Sequence, residues 1–261
     1  NLSSYASGDQ SVLLELKNDM TVEETKEYFA QVDKKVDEML SVVSEDMTDL
    51  EKALAIHEYL VYNSAYDYDN LVNGTLPRES YSSAGLFMKG TGVCNAYAYG
   101  YQYLMTKLGI ECYVTSSDPM NHAWNIIELN GNYYHVDCTW DDPVPDSKGK
   151  VRHNHFLVSD SAMENDLDHY AWDRTDLVCS DTAYDDAYWT NVDTQIIQMG
   201  SKSFYMAEGI LYCREGNSIR EIADAGIWPV WGGGGIWNAY YSGLFYENGY
   251  LYYNTYSSIM R

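Results

Sequence analysis

The 261-residue sequence predicts an α+β chain, and three observations carry that prediction. Apolar residues recur at helical spacing through the first third and again behind Gly92. Two alternating strands flank Asn130-Gly131, the strongest short-range hairpin signal. Beyond about residue 186 helical spacing gives way to strand patterns rich in Tyr, Trp and Gly. The expected division is a helical segment over 1–45, a central α+β core over 46–185 and a β-meander over 186–261.

The elements follow in chain order. Thr21 with Glu24 is a capping-box signature, and Tyr28, Phe29, Val32, Val36, Met39, Leu40 and Val43 follow with helical periodicity. Thr48 with Glu51 opens a second helix, in which His57 reads as a packed residue rather than a ligand. Residues 63–83 read as turns, punctuated by Asn73-Gly74 and Pro77. A buried helix starts near Cys94, carries Tyr97, Tyr101, Leu104 and Leu108 on one face, and stops at Gly109. Strands are expected at Cys112–Thr115, Ala123–Leu129 and Asn132–Cys138. Residues 141–180 read as polar loop, with Asp141, Asp142 and Asp146 as solvated carboxylates that lack EF-hand spacing. In the tail, Phe204-Tyr205, Gly209, Leu211-Tyr212 and Ile219 recur about 40 residues on as Phe245-Tyr246, Gly249, Leu251-Tyr252 and Ile259. This internal repeat predicts aromatic hairpins whose rings form sheet core. Gly232–Gly235, between the two units, falls outside any expected regular element.

Composition narrows the function. Sixteen Lys+Arg against 39 Asp+Glu give a net charge of −23, which repels phosphate backbones and anionic lipid alike. Nucleic acid is therefore excluded as a partner. No run approaches the ~18 apolar residues of a membrane span. The 46% apolar content rules out a disordered chain. Five cysteines without a CxxC pair argue against a disulfide framework and against a zinc site. The start at Asn1, the acidity and 26 tyrosines suit an exported bacterial protein, extracellular or on the cell surface, with a leader already removed.

Three residues carry candidate chemistry. Cys94 opens a helix just after Gly90 and Gly92, where the positive end of the helix dipole favours a thiolate. In a two-residue hairpin Leu129 faces Asn132 and Trp124 faces Asp137, which places His122 diagonal to Asp137 on one sheet face. Diagonal neighbours lie ~7–8 Å apart at the backbone, within reach of long side chains. Cys94, His122 and Asp137 can then act as nucleophile, base and orienting carboxylate. His135, two residues before Asp137 on the same face, competes for the role of base.

The segments GTGVCNAYAYGYQYLMTKLGIEC, NHAWNIIELNGNYYHVDCTWDDP and HFLVSD resemble the transglutaminase-like superfamily of papain-related cysteine enzymes, in its bacterial protease-like branch. The resemblance covers roughly residues 48–173. It implies Cys94 as nucleophile, His122 as base and Asp137 as orienter, with His135 a neighbour. It also implies a core in which the helix bearing the Cys packs against an antiparallel sheet carrying His and Asp. Ala96 stands where the family usually has Gly. The function expected is acyl transfer through a thioester on peptide or protein amides, hydrolysis being favoured. A protein-crosslinking transglutaminase, or an inactive surface module binding glycan or peptide through the repeats, are the alternatives. Trp124 and Trp140 are expected as pocket walls, and no metal or organic cofactor is required. Protein or peptide substrates, cell-wall and surface peptides among them, are the expected partners.

Overall fold

The computed structural model describes residues 2–6, 12–16, 20–165, 167–173, 177–232 and 235–261. At the amino end β1 (Leu2–Ala6) and β2 (Val12–Leu16) pair antiparallel. This corrects the helical reading of 1–45: the helix begins only behind Thr21, where the cap stands. In α1 (Val22–Leu40) Thr21 Oγ1 accepts from the Glu24 N–H at 3.2 Å, and the Glu24 carboxylate accepts from the Thr21 N–H at 2.7 Å. Thr48 and Glu51 repeat the arrangement at the start of α2 (Asp49–Asn63). Each such cap contributes about 1 kcal/mol. Val32, Val36 and Met39 of α1 join Ala53, Ile56, Leu60 and Val61 of α2 in the main core.

The stretch read as turns holds more structure than expected. It contains β3 (Ala65–Tyr66), α3 (Tyr68–Asn73) and a 3-10 turn at Arg78–Tyr81. Buried Asp67 organises it, accepting from Asn70 Nδ2 at 2.8 Å and from Ser80 Oγ at 2.6 Å. Gly74, at φ 65°, ends α3 in the left-handed region that a side chain disfavours. Next come α4 (Ser83–Lys89) and β4 (Thr91–Gly92), which pairs in parallel with β3 so that Tyr66 lies opposite Gly92.

Helix α5 (Cys94–Lys107) is the centre of the fold, with Cys94, Ala96, Tyr97, Ala98, Gly100, Tyr101, Leu104 and Met105 all buried. Burial of each large apolar side chain contributes roughly 1.5–3 kcal/mol. Tyr101 Oη donates to the Ala53 carbonyl on α2 at 3.1 Å, and Asn125 Nδ2 donates to the Ala98 carbonyl at 3.0 Å. These bonds fix α5 between α2 and a four-stranded antiparallel sheet. Gly109 stops the helix as expected, at φ 75°. The sheet runs β5 (Cys112–Ser117), β6 (His122–Leu129), β7 (Asn132–Val136) and, beyond one helical turn α6 (Cys138–Asp141), β8 (Phe156–Val158). Leu129 pairs with Asn132 and Asn125 with Val136, which is the hairpin register read from the sequence. The strand stops two residues earlier than expected, because Asp137 turns out of the ladder to cap α6.

Helix α7 (Asp160–Asn165) follows β8 inside the segment read as loop. Asp141 and Asp142 are buried there rather than solvated; only Asp146 is exposed. A 3-10 turn at Tyr188–Asn191 leads into the sheet of β9 (Ile197–Met199), β10 (Lys202–Ala207), β11 (Ile210–Glu215) and β12 (Ser218–Asp224). The hairpin β13 (Trp228–Gly232) and β14 (Gly235–Ala239) follows, with Gly232 opposite Gly235. Both glycines thus belong to strands, against expectation, while residues 233–234 lie outside the described residues. The last sheet comprises β15 (Leu244–Glu247), β16 (Tyr250–Asn254) and β17 (Ile259–Met260). The two repeat units both fold as aromatic hairpins, but only the first buries its Tyr: Tyr205 is 3% exposed, its counterpart Tyr246 48%. The expectation of sheet core therefore fails for Phe245 and Tyr246, whereas Leu244, Leu251 and Tyr253 of the second unit pack in a small core with Met206 and Leu211.

Candidate active site

Three elements converge on one cleft. Cys94 is the first residue of α5, His122 the first of β6, and Asp137 follows β7. Cys94 and His122 line a cleft of about 310 Å³ together with Tyr66, Tyr81, Asn95 and Trp140. Val93 caps α5 without a side-chain hydrogen bond, so the positive end of the helix dipole is presented beside the thiol. The residues around the thiol leave little slack. A Cβ built on Gly92 would lie 2.7 Å from the Ala96 Cβ, so the Ala96 methyl is accommodated because position 92 has none.

Asp137 is saturated with hydrogen bonds. Its Oδ1 accepts from the Thr139 and Trp140 N–H groups at 2.9 and 3.2 Å. Its Oδ2 lies 2.6 Å from His122 Nε2 and 3.0 Å from His169 Nε2. Burial opposes its charge, but the two imidazoles outweigh burial and hold the carboxyl well below the usual carboxylate range. With Nε2 on Asp137, His122 keeps Nδ1 for Cys94. Burial works against a charge on His122 too, yet the Asp137 carboxylate, with help from Cys94, pushes its pKa up to about 10. The arrangement brings the three sequence-predicted residues together as a thiol, an imidazole and an orienting carboxylate.

The sequence of this region matches a known family. The model for the transglutaminase-like superfamily aligns with residues 38–138, which include Cys94, His122 and Asp137. Over these residues the chain is similar to the transglutaminase-like superfamily. The Kyphoscoliosis peptidase of Homo sapiens is 27% identical over 149 residues, 49% of this chain. The chain spans only 22% of that relative's length. Among solved structures, a TGase aligns with TM-score 0.37 and 15% identity, over 48% of this chain and 35% of its own. A candidate cysteine protease from Cytophaga hutchinsonii aligns with TM-score 0.34 and 15% identity, over 56% and 64% of the two chains.

The surroundings of the transglutaminase-like segment correct two expectations. Trp124 is no pocket wall: it is 1% exposed and lies beneath His122, ring centroids 5.5 Å apart and nearly parallel. It packs in a second cluster with Val158, Met163 and Trp172. Trp140 does line the cleft, 38% exposed. His135 is no base for Cys94, since its Nδ1 accepts from Trp124 Nε1 at 3.0 Å and its Nε2 meets Asp160 Oδ1 at 2.8 Å.

Sequence reasoning missed His169, which reaches Asp137 from 32 residues away with no periodic signal to mark it. It also missed the buried carboxylate Asp141, whose oxygens take His57 Nε2 and His155 Nδ1, each at 2.9 Å. His57 is packed as expected, and Asp141 is the partner that its burial demands. Among the described residues, two groups bring ligand-type atoms within 4.8 Å of one another: His122, Asp137 and His169, and His135, Asp160 and Cys179. Hydrogen bonds already engage these atoms. In the second group the indole N–H on His135 Nδ1 places the ring proton on Nε2, aimed at Asp160 rather than at a cation.

Proposed function

We propose that the protein is a cysteine-dependent acyl-transfer enzyme acting on peptide or protein amides, with hydrolysis as the outcome. The observation that carries this is the 2.6 Å contact of His122 with Asp137 at a cleft that the same imidazole shares with Cys94. The name of the human relative, a peptidase, supports hydrolysis. Cys94 Sγ, as thiolate, attacks the amide carbonyl carbon, and the π electrons move to oxygen. The Cys94 backbone N–H and the Tyr66 hydroxyl donate to that oxyanion. Tyr66 suits the role because burial, then the Cys94 and Asp137 charges, push its pKa up to about 12, so the hydroxyl keeps its proton. His122 Nδ1–H protonates the leaving amine as the C–N bond breaks, giving a thioester. Water then loses a proton to Nδ1 and attacks the thioester, and the tetrahedral intermediate expels the thiolate.

Iodoacetamide labelling followed by peptide mass mapping tests the nucleophile. Cys94 is expected to label rapidly below pH 7, and His122→Ala to slow it; labelling only near the free-thiol range of ~8.5, unchanged by the substitution, overturns the reading. Amide turnover is expected to fall as pH rises through about 10, where His122 loses the proton it must deliver. Supplying a primary amine separates the outcomes. Acyl transfer to the amine in preference to water replaces the hydrolase with a crosslinking transglutaminase.

A further inference from the structure

Resting on the amide-cleaving reading above, we propose that the substrate is a cationic polypeptide that places an apolar or aromatic side chain beside the reacting amide. The cleft is the ground for it. Leu71, Leu76 and Met120 supply aliphatic surface, and Tyr66, Tyr81 and Trp140 aromatic surface. The chain carries 39 Asp+Glu, yet among the described residues none lines this cleft. Among the described residues the one titratable cation there, His122, is committed to Asp137.

An ionised side chain entering the cleft would lose water without gaining a counter-charge, a cost that an apolar one avoids. The apolar surface also continues outside the cleft. Leu71 and Tyr81 of the cleft are 41% and 49% exposed, and Tyr68 and Val72, on the same short helix as Leu71, are 50% and 58% exposed. Exposed apolar side chains grouped on one short helix beside a cleft suit a contact surface. Its position beside the thiol commits the occupant to be the chain that carries the amide. At about 310 Å³ the cleft holds a residue or two, not a folded surface. Long-range attraction adds the second element. A net charge of −23 draws in cationic chains and repels acidic ones, an effect that salt screens.

The test is calorimetric binding to the 261-residue chain carrying Cys94→Ala, so that recognition is read without chemistry. The probes are acetylated peptides with Lys flanks that differ only in the central residue: Leu, Phe, Glu or Lys. Leu and Phe peptides are expected to bind ~10–100-fold tighter than the others. Exchanging the Lys flanks for Glu is expected to weaken binding about tenfold at low salt, and by much less in about 0.5 M salt. In the same background Leu71→Glu is expected to abolish the preference for Leu. Equal affinity for all central residues, or none for any, overturns the proposal. Failure of the enzymatic reading shows separately, as a tightly bound Leu peptide that wild-type protein leaves uncleaved.

Discussion

Cys94, His122 and Asp137 share three residue types with Cys179, His135 and Asp160, and Trp124 touches both groups. It stacks beneath His122 and donates a hydrogen bond to His135. The order of the side chains differs. In the first group the imidazole stands between thiol and carboxylate, and in the second Asp160 faces both His135 and the Cys179 thiol. An imidazolium beside a thiol favours the thiolate, whereas a carboxylate beside it favours the thiol. Burial, and then Asp160, accordingly push the Cys179 thiol above its usual range. Order decides the chemistry more than composition does.

The largest test of this contrast exchanges the sulfurs. Cys94→Ala is expected to reduce amide turnover on the order of 10⁴-fold or more, while Cys179→Ala leaves it within about twofold, as chromatographic assays of peptide cleavage will read. Equal losses would erase the distinction. At the imidazoles, His122→Ala is expected to slow iodoacetamide labelling of Cys94 on the order of 10³-fold at pH 6. His135→Ala should leave labelling unchanged but lower the urea midpoint, since an unpaired buried indole N–H costs about 1–3 kcal/mol.

A smaller effect isolates Tyr66. Tyr66→Phe is expected to slow acylation by p-nitrophenyl acetate about 10²-fold while iodoacetamide, whose displacement forms no oxyanion, reacts as before. Equal acylation rates in a protein that still acylates would remove Tyr66 from the mechanism. The smallest effect concerns Asp142, a buried carboxyl with the Tyr97 phenol for a partner and no imidazole. Burial pushes its pKa up to about 7. A folded-state pKa raised above the unfolded one gives stability that is full below the ordinary carboxylate range and lost as pH rises through about 7. Asp142→Asn keeps a neutral acceptor for Tyr97. Thermal midpoints should therefore favour the variant at pH 8 and converge with wild type at pH 4.

What the sequence made legible was local. Two capping boxes, the Gly109 stop and the Asn130-Gly131 turn each act within a few residues, so α1, α2, α5 and the hairpin register followed from them. The diagonal placement of His122 and Asp137 came from that register. What escaped depends on distant partners. Nothing near residues 141 and 142 reveals that His57, His155 and Tyr97 fold over those carboxylates, so a buried pair read as solvated loop. Trp124 alternates correctly along β6, but which side of the cleft it occupies depends on Val158, Met163 and Trp172. The repeat units share a pattern, yet Tyr205 is covered and its counterpart Tyr246 is not, because covering is a property of neighbours.

The close approach of positions 92 and 96 bears on how this chain can vary. The space between the turn before Cys94 and the first turn of α5 admits one methyl group, carried here by Ala96. Without the Ala96 methyl, a Cβ at position 92 would still lie 3.3 Å from Leu86 Cδ1 and from the Ser80 carbonyl oxygen, so a side chain there would need Leu86 to give way as well. The two positions should therefore drift as a linked pair, with Leu86 as a third partner, so that a lineage replacing Gly92 would pass first through loss of the Ala96 methyl.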